Sequence, residues 1–483
     1  MKTNKTGPGA YNYLVKILIV ALIGGSLSCG NPTKTQVMVS TAHPAEKPAK
    51  EKPRLLILTD IGGDPDDKQS LIRLCLYANE FDIEGIIASA SGTPGELKEK
   101  TIKPELIREI IDAYGKVRPN LLLHHPDYPS ASDLINKIKR GNPNRGEEFI
   151  GPGHDTEASA WIIKVVDQED TRPVNISIWG GQTDLAQALW KVKNTRDSEA
   201  YENFISRIRI YDIGDQDNIF GYISDQFPGL FYILNNAREG EDRRNAAFRG
   251  MYLGGDESLT SLEWVNSHIR EGHGALGPLY PTKTWTAPNP HGVLKEGDTP
   301  SWFYFLPNGL GDPDHPDWGS WGGRFFNNQK HYKDAEDQVG DIINRRATVW
   351  RWRNQYQNDF QARMDWCVKT FEEANHNPTA VINGVSGKEV VYLRVSSGEE
   401  VKLSARDSAD PDGDELSYYW MIYPEPGTYK DKISINNPNA ESAGFIAPDV
   451  QGNATLHVVL TVKDNGEPNL FSYHRAIVTV NND

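Results

Sequence analysis

From Arg54 onward the apolar and polar positions follow two successive patterns. Leu55–Leu58 is a short apolar run, as expected of a strand buried on both faces. Lys68–Ala78 then carries apolar residues at helical spacing, at Leu71, Leu74 and Cys75. The succession repeats: strands are predicted at Ile83–Ala88, Val174–Trp179 and Ile208–Ile213, and helices at Pro104–Tyr114, Thr156–Val166 and Leu185–Trp190. Such alternation predicts an α/β fold, a mostly parallel Rossmann-like sheet with helices on both faces. Ligands of these sheets sit at the carboxyl ends of strands. Chemistry is therefore expected in the loops after Leu58, Ala88, Trp179 and Ile213. Residues 270–335 break the pattern, with Gly, Pro, Trp, His and Asp crowded around one helical stretch, Thr299–Leu306. A further helical segment is expected over Asp337–Ala374. Past Asn375–Pro378 the period falls to two. Val390–Val395, Glu400–Ala405, Leu416–Ile422, Ala443–Ile446, Leu456–Val462 and His474–Val480 read as strands of an all-β, immunoglobulin-like sandwich. Within it, Asp410, Asp412 and Asp414 either bind Ca²⁺ or close a tight turn.

The amino terminus reads differently. Lys2, Lys5 and Lys16 precede the apolar run Ile17–Ile23, then small residues Gly24–Ser28, then Cys29. This predicts a signal peptide over 1–29 with Cys29 as a lipidation site. Residues 30–53, rich in Thr, Pro, Ala and Lys, are expected to form a disordered tether. The expected product is secreted and anchored by lipid to a bacterial membrane, in the periplasm or at the cell surface. Domains are expected over 54–374 and 379–483. Cys75 and Cys367 read as buried small hydrophobes. With 51 basic and 66 acidic side chains the net charge is −15, which argues against a nucleic-acid partner and permits cations and neutral sugars. Twelve Trp and 20 Tyr supply rings that stack on sugars or fill a core.

The densest chemistry lies in Leu55-Leu-Ile-Leu-Thr-Asp-Ile-Gly-Gly-Asp-Pro-Asp-Asp67, where an apolar strand runs into Asp60, Asp64, Asp66 and Asp67 before a helix. Carboxylates this close repel one another. A hard cation such as Ca²⁺ offsets that repulsion with oxygen ligands; an acidic N-cap of the helix is the other reading.

The segment TDIGGDPDD resembles the amino-terminal motif of nucleoside hydrolases, and GGQTDLAQAL (Gly180–Leu189) is similar to a second motif of that family. Glu296-Gly-Asp-Thr-Pro300 resembles a third. GDTPSWFYFLPNGLGDPDHPDWGSWGGRF (Gly297–Phe325) and IYDIGDQDN (Ile210–Asn218) look like a bacterial family of cellulose-binding proteins that join a nucleoside hydrolase-like domain to a β-sandwich. The resemblance implies Ca²⁺ held by Asp60, one or both of Asp66 and Asp67, the Thr183 carbonyl and Asp298. It implies Asp60 or Asp64 as the base that deprotonates a water attacking an anomeric carbon. Gly297 stands where nucleoside hydrolases carry a His associated with the leaving base, and Ser91–Thr93 also departs from the pattern. A furanoside or cell-wall glycan fragment is thus the expected substrate. A non-catalytic carbohydrate-binding lipoprotein and a nucleoside N-ribohydrolase are the alternatives. Substrate contacts are expected from Trp179, Asp217, Asn218, Trp318, Trp321 and Arg324, with Trp302 nearby and with Asp215 and Gln216 as further candidates. Arg324 alternatively pairs with Asp314 or Asp317. The acid for the leaving group is open among His154, Asp155, Glu157, His291 and His315.

Overall fold

The computed structural model describes residues 51–90, 102–283 and 293–482. The expected signal peptide with Cys29, most of the expected tether, Ser91–Thr93 and His291 lie outside the described residues. From Lys52 onward the chain forms one compact unit.

The central sheet holds eight strands: β1 (Arg54–Thr59), β2 (Asp82–Ala88), β3 (Ile138–Arg140), β4 (Val174–Ile178), β5 (Ile208–Ile213), β6 (Phe231–Asn235), β7 (Phe325–Asn327) and β8 (Tyr332–Asp334). Their order is β3-β2-β1-β4-β5-β6-β8-β7, and every pairing is parallel except β7 with β8. Central β1 shows why an unbroken apolar run is needed. Leu55 and Ile57 join the core on one face, and Leu56 and Leu58 join the core on the other. The helices Asp66–Leu76, Pro104–His124 and Arg353–Asp365 bury residues in the first core, and Glu157–Val166 and Thr183–Thr195 in the second. This is the predicted α/β arrangement. The segment expected to be helical over Asp337–Ala374 instead begins with a small hairpin, Asp337–Val339 with Ile342–Asn344, before helices at Ala347–Trp350 and Arg353–Asp365.

The carboxyl-terminal strands form two sheets. One holds Val391–Ser396, Phe471–Asn481, Ala454–Lys463 and Ser417–Tyr423; the other pairs Glu400–Ser404 with Ser442–Ile446. Along Ala454–Lys463, Leu456, Val458, Leu460 and Val462 fill the sandwich core, whereas Val459 belongs to the core of the α/β domain. The outer face of this sheet is therefore packed rather than solvated. Arg475, fully buried, donates from Nε to the Leu310 carbonyl (2.7 Å) and from Nη2 to the Trp318 carbonyl (2.9 Å). Trp321 donates to Tyr473 Oη at 3.2 Å. Asp410 Oδ1 accepts from the amides of Asp412 and Asp414, and Asp412 bonds His376, so this acidic segment closes a turn against the linker. Cys75 and Cys367 are free and buried.

Burial also makes the fold sensitive to pH. Asp334 on β8 accepts from the Ala247 amide at 2.7 Å, while its Oδ1 has no hydrogen-bond partner. Burial pushes its carboxyl up to about 8. Because the folded chain holds this proton more tightly than the unfolded chain does, the contribution is complete below about pH 4 and is lost as pH rises toward 8. Asp334→Asn keeps the acceptor and removes the titration. It is expected to stabilise the protein at pH 8 by on the order of 1–3 kcal/mol with little change at pH 4.5. An unaltered pH slope of thermal unfolding would rule this out.

Candidate active site

The carboxyl end of β1 delivers Asp60 into a loop that turns at once, with the Gly63 amide bonded to the Asp60 carbonyl at 3.1 Å. Gly62, at φ 104°, takes a conformation that residues with a Cβ rarely adopt. The helix Asp66–Leu76 then starts with two acids in its first turn. Thr59 Oγ1 donates to Asp67 and orients that carboxylate inward. The third acidic contribution comes from the loop before the helix Thr299–Phe303, at Asp298. Gln69 holds this loop: its Nε2 donates to the Val293 carbonyl, and its Oε1 accepts from the amides of Lys295 and Glu296. Behind it, Arg73 pairs with the fully buried Glu296.

Asp66, Asp67 and Asp298 are all buried, and each places a carboxylate oxygen within 4.8 Å of the others. Burial first, then Asp60 and Asp298, pushes the Asp67 carboxyl well above its usual range. Burial, Asp66 and Asp60 do the same to Asp298. Asp66 is raised by burial, with Asp64 adding and Lys295 opposing. Lys295 pairs with Asp64 and lies 3.3 Å from Asp66 Oδ2. Asp298 Oδ2 is buried without a hydrogen-bond partner. Buried oxygen donors, like charges and an unsatisfied lone pair suit a hard divalent cation. Asp66, Asp67 and Asp298 are the residues that would hold it, with Asp60 adjoining.

These acids line a cavity of about 450 Å³, together with Asp215, Gln216, Asp217 and Asn218 from the loop after β5. Asp215 and Asn218 adopt left-handed backbone conformations, at φ 52° and 56°. Asp215 Oδ1 accepts from the amides of Ile219 and Phe220 and from Gln182 Nε2, which fixes the loop and turns Gln216–Asn218 toward the cavity. The Gly180–Gly181 pair explains how the two acidic loops approach. A Cβ at Gly180 would lie 2.5 Å from the Asp60 Cβ, and one at Gly181 would lie 2.4 Å from the Asp217 carboxylate. Asp217 Oδ2 accepts from the Thr183 amide and hydroxyl, and its Oδ1 is buried without a partner. Burial lifts Asp217 to about 6 against the lowering effect of these hydrogen bonds.

Several residues expected at the site stand elsewhere. Thr183 lies in the first turn of its helix and braces Asp217; it does not line the cavity. The main-chain carbonyl that ends the strand beside Asp60 belongs to Trp179, and it accepts from Gln216. The Trp179 ring is fully buried, with Nε1 bonded to Ser177 at 2.8 Å, because the residue after a central strand still faces a helix layer. Trp302 is likewise core. Trp318 stacks on His315 at 3.9 Å and meets His457 of the sandwich. Trp321 packs on Phe303 and Tyr473. Both tryptophans thus seal the junction with the sandwich. Arg324 pairs with Asp337 at 2.7 Å; Asp314 pairs with Arg209 instead. Asp155 pairs with Lys191, Glu157 accepts from the Arg140 amide and His154 packs on Phe149, all outside the cavity. Conversely, Lys295, Arg145, Arg243 and Arg249 line the cavity although no sequence motif marks them. The one available signal was Lys295, a charge that directly follows the apolar pair Val293–Leu294 and stands three residues ahead of Asp298. At Gly297 a Cβ would sit 3.1 Å from Asp66 Oδ2 and 3.4 Å from the Phe248 ring, so a side chain there would press on both neighbours.

Residues 54–325 match the family described as "Cellulose-binding Sde182, nucleoside hydrolase-like domain", and residues 400–480 match "Cellulose-binding protein Sde0182, C-terminal domain". A solved nucleoside hydrolase-related protein from Saccharophagus degradans, described as associated with carbohydrate metabolism, is 35% identical with a TM-score of 0.75, over 89% of this chain and 100% of that one. A microbial collagenase from Vibrio alginolyticus is 33% identical over 107 residues, which are 21% of this chain and 12% of the collagenase. By its sequence match over most of the α/β domain and its structural match over nearly the whole chain, the protein belongs to the Sde182 family of nucleoside hydrolase-like, cellulose-binding proteins.

Proposed function

We propose that this chain is a cation-dependent hydrolase of glycosidic bonds, acting on a sugar with vicinal hydroxyls after secretion and lipid attachment at Cys29. One observation carries the reading. Asp60, Asp64, Asp66, Asp67 and Asp298 converge, buried, on a single open-mouthed cavity, with Lys295 as the only ammonium among its described lining residues. A protein surface needs no such concentration of charge, whereas hydrolysis through a cationic sugar transition state does. Bound Ca²⁺ would polarise a water and orient two sugar hydroxyls.

The chain's own residues supply the rest. Asp60, at the end of the central strand, is the base that takes the proton of the attacking water, and Asp64 accepts from Lys295 beside it. Asp217 Oδ1, unpartnered at the cavity wall, holds the proton for the departing oxygen. The remaining carboxylates stabilise positive charge developing at the anomeric carbon. Phe248 supplies an apolar wall.

A second reading, non-catalytic binding of a carbohydrate, draws support from the family description itself. No Trp is among the exposed large hydrophobic side chains of the described residues, but Tyr392 and Tyr419 of the sandwich are exposed and offer rings to a glycan outside the cavity. Gly297 speaks against nucleoside hydrolysis, because it carries no side chain to protonate a base. The test is an assay of the full chain with Ca²⁺ against nucleosides, aryl furanosides and cell-wall oligosaccharides, reading released sugar. Release that disappears in Asp60→Asn is expected from a sugar substrate. Binding of glycan without release from any substrate would replace the hydrolase with the binding protein.

A further inference from the structure

The cavity carries both signs of charge. Three guanidinium groups, from Arg145, Arg243 and Arg249, line it together with the carboxylates, and the charge of Arg145 acts on Asp217 and that of Arg249 on Asp66. None of the three makes an ion pair among the described residues, although the chain carries 15 more acidic than basic side chains. Other arginines do find carboxylates: Arg73 pairs with Glu296, Arg351 with Asp337 and Arg363 with Glu80.

The three are also placed, not merely nearby. Arg145 Nη1 is shielded from solvent and has no hydrogen-bond partner, an unsatisfied donor of the kind that a bound acceptor would complete. Arg249 is fixed from three sides. Its Nη1 donates to Tyr252 Oη, its Nε donates to the Arg243 carbonyl at 3.1 Å, and its guanidinium lies 4.8 Å from the Phe248 ring centroid. The backbone beneath it is pinned by Asn235 Oδ1 on the Phe248 amide and Asp334 Oδ2 on the Ala247 amide. Arg243 is exposed at the mouth.

We propose that the ligand of this cavity is an anionic sugar, with a carboxylate, sulfate or phosphate group held by Arg145, Arg249 and Arg243 while its hydroxyls face the carboxylate wall. This rests on the reading of the cavity as a sugar site and narrows it to a substrate class. The chemistry follows from the donors. Guanidinium forks match planar carboxylates and tetrahedral oxyanions, which a neutral sugar does not offer. The arginines also locally offset the repulsion that the chain's net charge imposes on an anion.

The test is equilibrium binding to the full chain in the presence of Ca²⁺, with Ca²⁺ binding measured in the same preparations. The probes are galacturonate and glucuronate, their neutral parents galactose and glucose, and the 6-sulfate and 6-phosphate of each. At least one anionic probe is expected to bind about tenfold or more tightly than its parent. That ratio should fall toward one in Arg145→Gln and in Arg243→Gln, the latter a surface change with little bearing on folding, and should shrink with added salt. The arm that shows the preference identifies the anion. Equal binding of every anionic probe and its parent, with Ca²⁺ bound, overturns the anion site and leaves the cation reading intact. A preference for an anion without Ca²⁺ binding supports the anion site and removes the cation from the proposed function. A preference that survives both substitutions overturns the assignment to these arginines.

Discussion

Asp298→Asn is expected to act in opposite directions on two measurements. Affinity for Ca²⁺ should fall by about a hundredfold, since cation affinity follows the number of charged ligands. The cation-free protein should become more stable, not less. Asn has the same shape, and it removes one of three carboxylates that crowd within 4.8 Å in a buried pocket. In wild type, Ca²⁺ at a hundred times its dissociation constant should add about 2.7 kcal/mol of stability by mass action. The variant at the same concentration should gain little. A thermal melt with and without Ca²⁺ reads both effects. A variant that is less stable without the cation and binds it as wild type does would mean that these acids hold the loop together and serve no ion.

Asp217→Asn is expected to slow cleavage of an unactivated sugar linkage by about 10²–10⁴-fold. Cleavage of a p-nitrophenyl glycoside should stay close to wild type, because a phenolate departs without being protonated. The same substitution should change the pH profile. Burial lifts the Asp217 carboxyl to about 6, with the Thr183 hydrogen bonds and Arg145 lowering it and Asp184 raising it. A proton donor with that value is loaded below about 6 and empties above it, so wild-type turnover of the unactivated substrate should decline as pH rises through 6. The variant should lose that alkaline limb. Equal slowing of both substrates would place Asp217 among the groups that shape the cavity and would remove it as the acid.

The sequence made the strand ends legible and left the walls of the cavity obscure. The run from Leu55 to Asp67 reveals itself because a strand, a tight loop and a helix start follow within 13 residues, and each has its own local rule. Asp217 and Asn218 were visible for the same reason, being just past β5. Arg145, Arg243 and Arg249 come from segments without periodicity, and only the fold brings them to the same cavity as Asp60. The tryptophans failed in the other direction. Trp179, Trp318 and Trp321 sit near strand ends or among glycines, where a ring faces either a ligand or a neighbouring layer. For Trp318 and Trp321 the choice was made by the sandwich, whose His457 and Tyr473 meet them; for Trp179 it was made by the helix layer over β4. Arg324 was ambiguous because its partner, Asp337, lies in a hairpin that the sequence presents as helix.

The buried Arg475 has a bearing on how the protein meets a polymer. Accessory modules on flexible linkers act as leashes: they keep an enzyme near its substrate but let the distance vary. Here a sandwich side chain grips the Leu310 and Trp318 carbonyls of the α/β domain, and Val459 and Tyr473 are part of that domain's core. Sandwich and cavity therefore keep a constant separation. Any grip the sandwich has on a glycan acts as a ruler, presenting the cavity at a set number of sugar units from the point of attachment.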